Sequence, residues 1–255
     1  MPKLYLANQY YQVMPAQTQK VPRDRFVQYY NDLFDLEGLT RPPLSVYLTE
    51  GQYDFSTLGE AVLKLAHVKE DFSKLDLFVV AYWSHEFDPN GSFGAYFSHQ
   101  YGISSTLFDV CDQGILSSIV AIKLIMAYAK LGKIKNAALL CFDQRSIPVE
   151  VSFSGKLPVK SSARLLFFST EKKETSRYQL LNADVSQHQQ KITHQENAAL
   201  RTITIESDSP YYSSAELFSP LFDQTILNPL FSEVHLKVMD VESDWEGSIL
   251  FKRIS

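Results

Sequence analysis

Hydrophobic and polar positions change their rhythm along this chain. Phe26, Tyr29, Tyr30, Leu33 and Phe34 recur at helical spacing, which predicts a helix from Arg23 to Phe34 after a first strand at Lys3 to Ala7. Pro42 and Pro43 end that helix ahead of a strand expected at Leu44 to Leu48. A second helix begins near Thr57, where Thr57 and Glu60 stand at capping-box spacing, and carries Leu58, Val62, Leu65 and Ala66 on one face. Leu75 to Tyr82 (LDLFVVAY) is apolar at nearly every position, as a strand covered on both faces must be. A short helix at Ser92 to Tyr101, a strand at Thr106 to Cys111 and a long helix at Gly114 to Leu131 follow. That long helix is apolar around most of its circumference, which buries it between layers. With a strand at Asn136 to Phe142, the order is βαβαβαβ and implies a mainly parallel sheet with covered faces.

Beyond this point strands succeed one another. Arg164 to Ser169 and Arg177 to Ala183 read as an antiparallel pair, and the polar stretch Asp184 to Asn197 as an exposed loop. Arg201 to Glu206 alternates apolar and polar residues like a half-buried strand. A helix is expected at Ser213 to Leu227, and a closing hairpin from Glu233 to Val241 and Trp245 to Arg253. No internal sequence repeat or low-complexity linker interrupts the pattern.

Composition narrows the function. The chain has 255 residues, 45% hydrophobic and 21% charged, an ordinary globular balance. Net charge is −5 and no Lys/Arg stripe is present, which argues against nucleic acid as a partner. Cys111 and Cys141 make no disulfide framework, and the first residues carry no basic-then-apolar leader, so a cytoplasmic location is expected. The apolar run at Ile115 to Leu131 is broken by Lys123 and Lys130, a poor membrane span. The histidines at positions 67, 85, 99, 188 and 235 show no metal-ligand spacing, so neither a metal nor a cofactor is expected. Ten glycines is about 4% of the chain, against a usual value of about 7%, and only Gly247 lies after Gly155. The last hundred residues therefore offer little backbone fit to cradle a phosphate or an oxyanion.

Several strings resemble the thiolase fold, in particular its ketoacyl synthase III branch. STLGEAVLKLAHVKEDFSKLDLFVVAYWSHEFDPN is similar to that family's helix, strand and following loop. HQYGISSTLFDVCDQGILSSIVAIKLIMAYAKLGKIKNAALLCFD is similar to its nucleophile turn, buried helix and next strand, and HLKVMDVESDWEGSILFKRI to its last two strands. The resemblance implies a thiolase-like layered α/β fold as one compact unit. It would have a complete N-terminal half over 1–170 and a shortened C-terminal half over 171–255, less a helix–strand–helix segment.

Against the family pattern, the chemistry is missing. The family sets a catalytic cysteine at the start of the buried helix, where the helix dipole favours the thiolate that accepts the acyl group. Here the string is Phe108-Asp109-Val110-Cys111-Asp112-Gln113-Gly114, and anchoring on Gly114 puts Asp112 at that position. Cys111 then reads as a small core residue on the strand end, or as a displaced nucleophile. His194, in His194-Gln195-Glu196-Asn197, is similar to the family's catalytic histidine string, yet it also suits a solvated loop. Tyr211 takes the place of the family's asparagine. Two glycine loops read Val159 to Ala163 and Met239 to Asp244, and the second carries Asp240, Glu242 and Asp244. These acids oppose a developing oxyanion, or form a solvated turn.

The sharpest resemblance is to the cysteine-less small subunits of heterodimeric 2-alkyl-4-quinolone synthases. It implies a non-catalytic partner of a catalytic ketoacyl-synthase-III-like subunit, with acyl carrier protein or acyl-CoA reached through that partner. Pairing would run across an edge strand near the nucleophile block, at Asn136 to Phe142 with its neighbours. Tyr82, Trp83, Phe87, Phe93, Tyr96 and Phe97 would line the partner's acyl channel, or else fill their own core. Two other readings stay open: a minimal acyltransferase or thioester hydrolase using Cys111 and His194, and a binding module for acyl chains or an acyl carrier protein.

Overall fold

A computed structural model describes residues 3–15, 24–45, 52–83, 92–111, 113–145, 158–187, 199–226, 231–240 and 243–254. Its strands are β1 (Leu4–Val13), β2 (Leu77–Ala81), β3 (Thr106–Val110), β4 (Asn136–Asp143), β5 (Ser162–Ser169), β6 (Tyr178–Gln187), β7 (Leu200–Ile205), β8 (Glu233–Met239) and β9 (Trp245–Arg253). Its helices are α1 (Asp24–Leu36), α2 (Phe55–His67), α3 (Phe93–Tyr101) and α4 (Ser117–Lys130). The strands run in one order, β3-β2-β4-β5-β1-β6-β9-β8-β7.

That order contains the same motif twice. β1 is antiparallel to β5, β5 antiparallel to β4, and β4 parallel to β2. In the second half β6 is antiparallel to β9, β9 antiparallel to β8, and β8 parallel to β7. The first half then adds β3, parallel to β2, and the second half ends at β7. A short antiparallel seam joins the halves, Leu4 opposite Leu180 and Leu6 opposite Tyr178.

Burial explains the two rhythms of the sequence. β4 is buried from Ala137 to Asp143 and β5 along its whole length, because helices cover both faces. α2 and α3 pack on one face around Phe55, Leu58, Phe72 and Phe97. α4 packs on the other, with Ile119, Ile122 and Ile125 in the core shared with Leu236, Val238, Ile249 and Phe251 of the second half. β8 alternates instead: Val234, Leu236 and Val238 are buried, while Glu233, His235 and Lys237 are half-exposed. No helix among the described residues covers that outer face, and its residues are accordingly polar. Gly247 sits where β9 meets α4: a Cβ there would stand 2.5 Å from Ile119 Cδ1 and 2.9 Å from Leu116 Cδ2.

Several expectations need correction. β5 and β6 are not paired, because β1 runs between them, antiparallel to each. β4 is interior, and the free edge of the first half is β3. The N-terminus of α2 is capped by Asp54, whose carboxylate accepts from Thr57 N at 2.6 Å; Glu60 instead pairs with Lys64 and the Tyr96 hydroxyl. The long buried helix opens with a 3-10 turn, Gly114–Leu116, before α4 proper. Of the helix expected at 213–227, the described residues 213–226 hold only a 3-10 helix, Glu216–Leu221, since Pro220 lacks the N–H that an α-helix interior requires. Leu44 and Ser45 are not extended, and the rest of the strand expected there lies outside the described residues. Asp184 to Gln187 belong to β6, and residues 188–197 of the expected loop are not among those described.

Replacing Gly247 by alanine overpacks the contact between α4 and β9. We expect urea unfolding to show a loss of about 1–3 kcal/mol, with the slope unchanged. An unaltered midpoint would mean that the two elements do not press together.

Candidate functional site

The parallel strands β2, β3 and β4 end at one level, so their C-terminal residues gather beside the start of the buried helix. β4 delivers Asp143, which is fully buried. Its Oδ1 accepts from Trp83 N at 3.1 Å and its Oδ2 from Ser214 N at 2.6 Å. Ser118 of α4 donates its hydroxyl to Ser214 O at 2.9 Å, so Ser214 is held through both backbone groups. Trp83 packs edge-on to Tyr212 at 6.4 Å, and its buried Nε1 has no partner among the described residues.

Asp240, at the end of β8, faces Gly114 at the opening of the buried helix. A Cβ on Gly114 would stand 3.4 Å from Asp240 Oδ2, and Gly114 holds φ +52°. The Asp240 carboxylate also accepts from Ser243 Oγ at 2.5 Å and from Tyr212 Oη at 3.3 Å. A carboxylate is favoured at a helix N-terminus, which suits Asp240 to this position. Of the other acids of this loop, Asp244 is exposed and Glu242 lies outside the described residues.

Cys111 ends β3 half-buried, beside the Tyr82 hydroxyl. Tyr82 Oη donates to Asp109 Oδ2 at 2.8 Å, and burial with that carboxylate pushes the phenol well above its ordinary range. Asp112 and His194 lie outside the described residues, so Cys111 is the one member of the expected nucleophile set that the structure places. Tyr211 packs half-buried against the core, and its neighbour Tyr212 is the residue that reaches the site.

Among the aromatic residues expected to line a channel, Phe97 is fully buried against Gly59, and Phe93 and Tyr82 pack around Phe55 and Phe142. These three fill their own core. Trp83 is half-buried and Tyr96 is 39% exposed, while Phe87 lies outside the described residues. No group of three metal-ligating side chains occurs among the described residues, and no described helix is long and apolar enough to cross a membrane.

A second polar cluster lies behind the site. Arg164, on β5 opposite Cys141, is 2% exposed. Its Nε donates to Ala215 O at 2.8 Å, Nη1 to Gln9 Oε1 at 2.6 Å and Nη2 to Ser219 Oγ at 2.6 Å. Its guanidinium lies over the Tyr11 ring at 4.2 Å. Buried Glu216 accepts from Tyr11 Oη at 2.5 Å and Ser219 Oγ at 2.9 Å, and pairs with Lys160 at 3.3 Å. Burial lowers the Arg164 pKa to about 10 against the pull of Glu216. Asp143, Arg164 and Tyr212 were not singled out from the sequence. A lone arginine inside the apolar run Ser162 to Ser169 is the signal that could have found one of them.

No protein-family profile and no curated protein sequence matches the chain. Solved structures do. ChlB3, described as an acyltransferase, superposes with TM-score 0.67 at 10% identity, over 100% of this chain and 98% of that one. Cerulenin-bound OleA of Xanthomonas campestris gives TM-score 0.63 at 10% identity, over 98% of both chains. Its acetamide-bound form gives 0.62 over the same shares at the same identity. At this identity the likeness is one of fold. The chain has the thiolase-like fold, with five strands in its first half and four in its second among the described residues.

The site generates a pH prediction. Burial raises the Cys141 thiol from 9.0 to about 12. The folded chain therefore keeps a proton that the unfolded chain releases, so the stabilisation is complete below about pH 9 and is lost as pH climbs towards 12. We expect the urea midpoint of the wild type to fall more steeply over this range than that of Cys141→Ala. Parallel profiles would contradict the burial of this thiol.

Proposed function

We propose that the chain is a non-catalytic subunit that pairs with a catalytic ketoacyl-synthase-III-like enzyme and shapes or stabilises its acyl-transfer and condensation site. The observation that carries this reading is the Asp240 carboxylate facing Gly114, where acyl transfer would need a thiolate. A carboxylate there repels a second anion and is a poor acceptor for an acyl thioester. Cys111 stands after the end of β3 beside the Tyr82 hydroxyl, with no described histidine against it to act as a base.

The β3 edge supports the pairing. Among the described residues it is a short strand bonded on one side only, with Leu107 and Phe108 half-exposed. Tyr96 is 39% exposed on the side of α3, and Leu124 and Tyr128 are each 37% exposed on α4. An unpaired edge flanked by apolar surface is a template for another sheet. Of the aromatics expected to line the channel, Tyr96 is exposed and Trp83, Tyr82 and Phe93 are half-buried, so these four keep surface to offer a partner's acyl channel. Acyl carrier protein or acyl-CoA would reach the complex through the partner. The small subunit of a heterodimeric 2-alkyl-4-quinolone synthase is the narrowest form of this proposal, within a cytoplasmic acyl, quinolone or polyketide pathway.

The test is affinity purification of the tagged chain from its own host, followed by reconstitution with the thiolase-fold synthase that mass spectrometry identifies. We expect an equimolar complex that Phe108→Lys weakens at least ten-fold, while free Phe108→Lys keeps its fold by circular dichroism. A stable monomer that recruits no synthase would contradict the proposal. An acyl adduct on Cys111 after incubation with an acyl thioester would instead favour a minimal acyltransferase.

A further inference from the structure

The seam between the two half-sheets opens into a cavity. β1 and β6 are paired only from Leu4 to Leu6, and a bulge between Leu6 and Asn8 breaks the register of β1 at the point where the strands part. The chain leading into β6 leaves the sheet there, and a cavity of about 170 Å³ remains between Leu6, Ala7, Gln9, Thr175, Arg177 and Phe222. A bulge re-aims side chains or ends the pairing of a strand.

The lining is chemically one-sided. Arg177 is exposed at the rim, and no carboxylate among the described residues pairs with it. The positive charges of Arg177 and Arg253 both act on neighbouring Tyr178. Gln9 has its Oε1 committed to the buried Arg164 at 2.6 Å, so the group it has left to offer is its Nε2 amide, a donor. Asn8 spends its own amide nitrogen on Glu70 at 2.6 Å, and Tyr178 its hydroxyl on Leu221 O at 2.8 Å. What remains is a guanidinium, an amide donor, the Thr175 hydroxyl and one acceptor, Asn8 Oδ1, around an apolar floor of Leu6 and Ala7, with Phe222 as a wall, so that the one charge in the lining is positive. An engineered cavity of about 150 Å³ accommodates benzene, which sets the scale of the ligand body.

We propose that this cavity binds a small carboxylate with a ring-sized or short-chain apolar body. The carboxylate pairs with Arg177 and accepts from Gln9 Nε2, and the body lies against Phe222, Leu6 and Ala7. Arginine suits this role because its planar fork matches a carboxylate with two parallel hydrogen bonds. The ligand occupies a junction between half-sheets, away from the turn between β3 and α4, so the site is independent of any acyl chemistry.

The full chain, without a partner protein, is titrated calorimetrically with benzoate, hexanoate, benzamide and inorganic phosphate. Benzoate and hexanoate are expected to bind at least ten-fold more tightly than benzamide, which keeps the ring and loses the charge, and than phosphate, which keeps the charge and loses the body. Arg177→Met should lower the benzoate affinity at least ten-fold at an unchanged melting temperature, since Arg177 is exposed. Phe222→Ala should weaken benzoate more than it weakens phosphate. Equal binding of benzoate and benzamide, unchanged binding in Arg177→Met, phosphate binding as tight as benzoate, or no binding of either carboxylate at millimolar concentration would each overturn the proposal. None of these outcomes bears on pairing with a synthase.

Discussion

Two buried charges on adjacent strands hold the second half of this protein to the first. Asp143 of β4 and Arg164 of β5 both reach into the segment 213–219, which has almost no regular structure of its own. Asp143 grips Ser214 N, and Arg164 grips Ala215 O and the Ser219 hydroxyl. Glu216 closes the arrangement by accepting from Tyr11 of β1. A buried charge without partners costs several kcal/mol, and breaking such a cluster by removing one member typically costs about 3–5 kcal/mol. Against a total stability of about 5–15 kcal/mol for a domain, this makes the cluster a condition of folding rather than an ornament. Leu217, Phe218 and Leu221 are then delivered to the core that α4 shares with β8 and β9.

The same economy of structure bears on function. Among the described residues the second half has four strands and no helix over its outer face. The β8–β9 turn contributes Asp240, held by Tyr212 and Ser243. The field of the helix is thereby answered from within the chain. In the proposed role, β3 and its apolar flanks remain the surface through which the fold acts on another protein.

Much of the fold was legible because burial leaves a periodic trace. β2, β4 and β5 read as near-continuous apolar runs, β8 as an alternation, and α4 as a helix apolar nearly all round, each matching the number of covered faces. Pairing was less legible. Periodicity says that β5 and β6 are strands, and nothing in it says that β1 inserts between them. The segment 213–227 has the apolar content of a helix, yet Pro220 and its serines commit it to polar anchors supplied by strands far away in sequence. At the site, acids in place of glycines were visible from Asp240 to Asp244. That Asp240 turns inward while Asp244 stays exposed depends on Tyr212, a residue that no string comparison singled out.

Amide hydrogen exchange at Ser214 is the most direct measure of whether these buried charges hold the halves together. The N–H of Ser214 belongs to no helix or strand, and its partner is the Asp143 carboxylate. It is expected to exchange only through global unfolding, with the same opening free energy as the amides of Leu139 and Leu140 in β4. Exchange as fast as that of the exposed turn at Lys172 and Lys173 would show that the segment opens on its own. The buried charges would then not be what binds one half to the other.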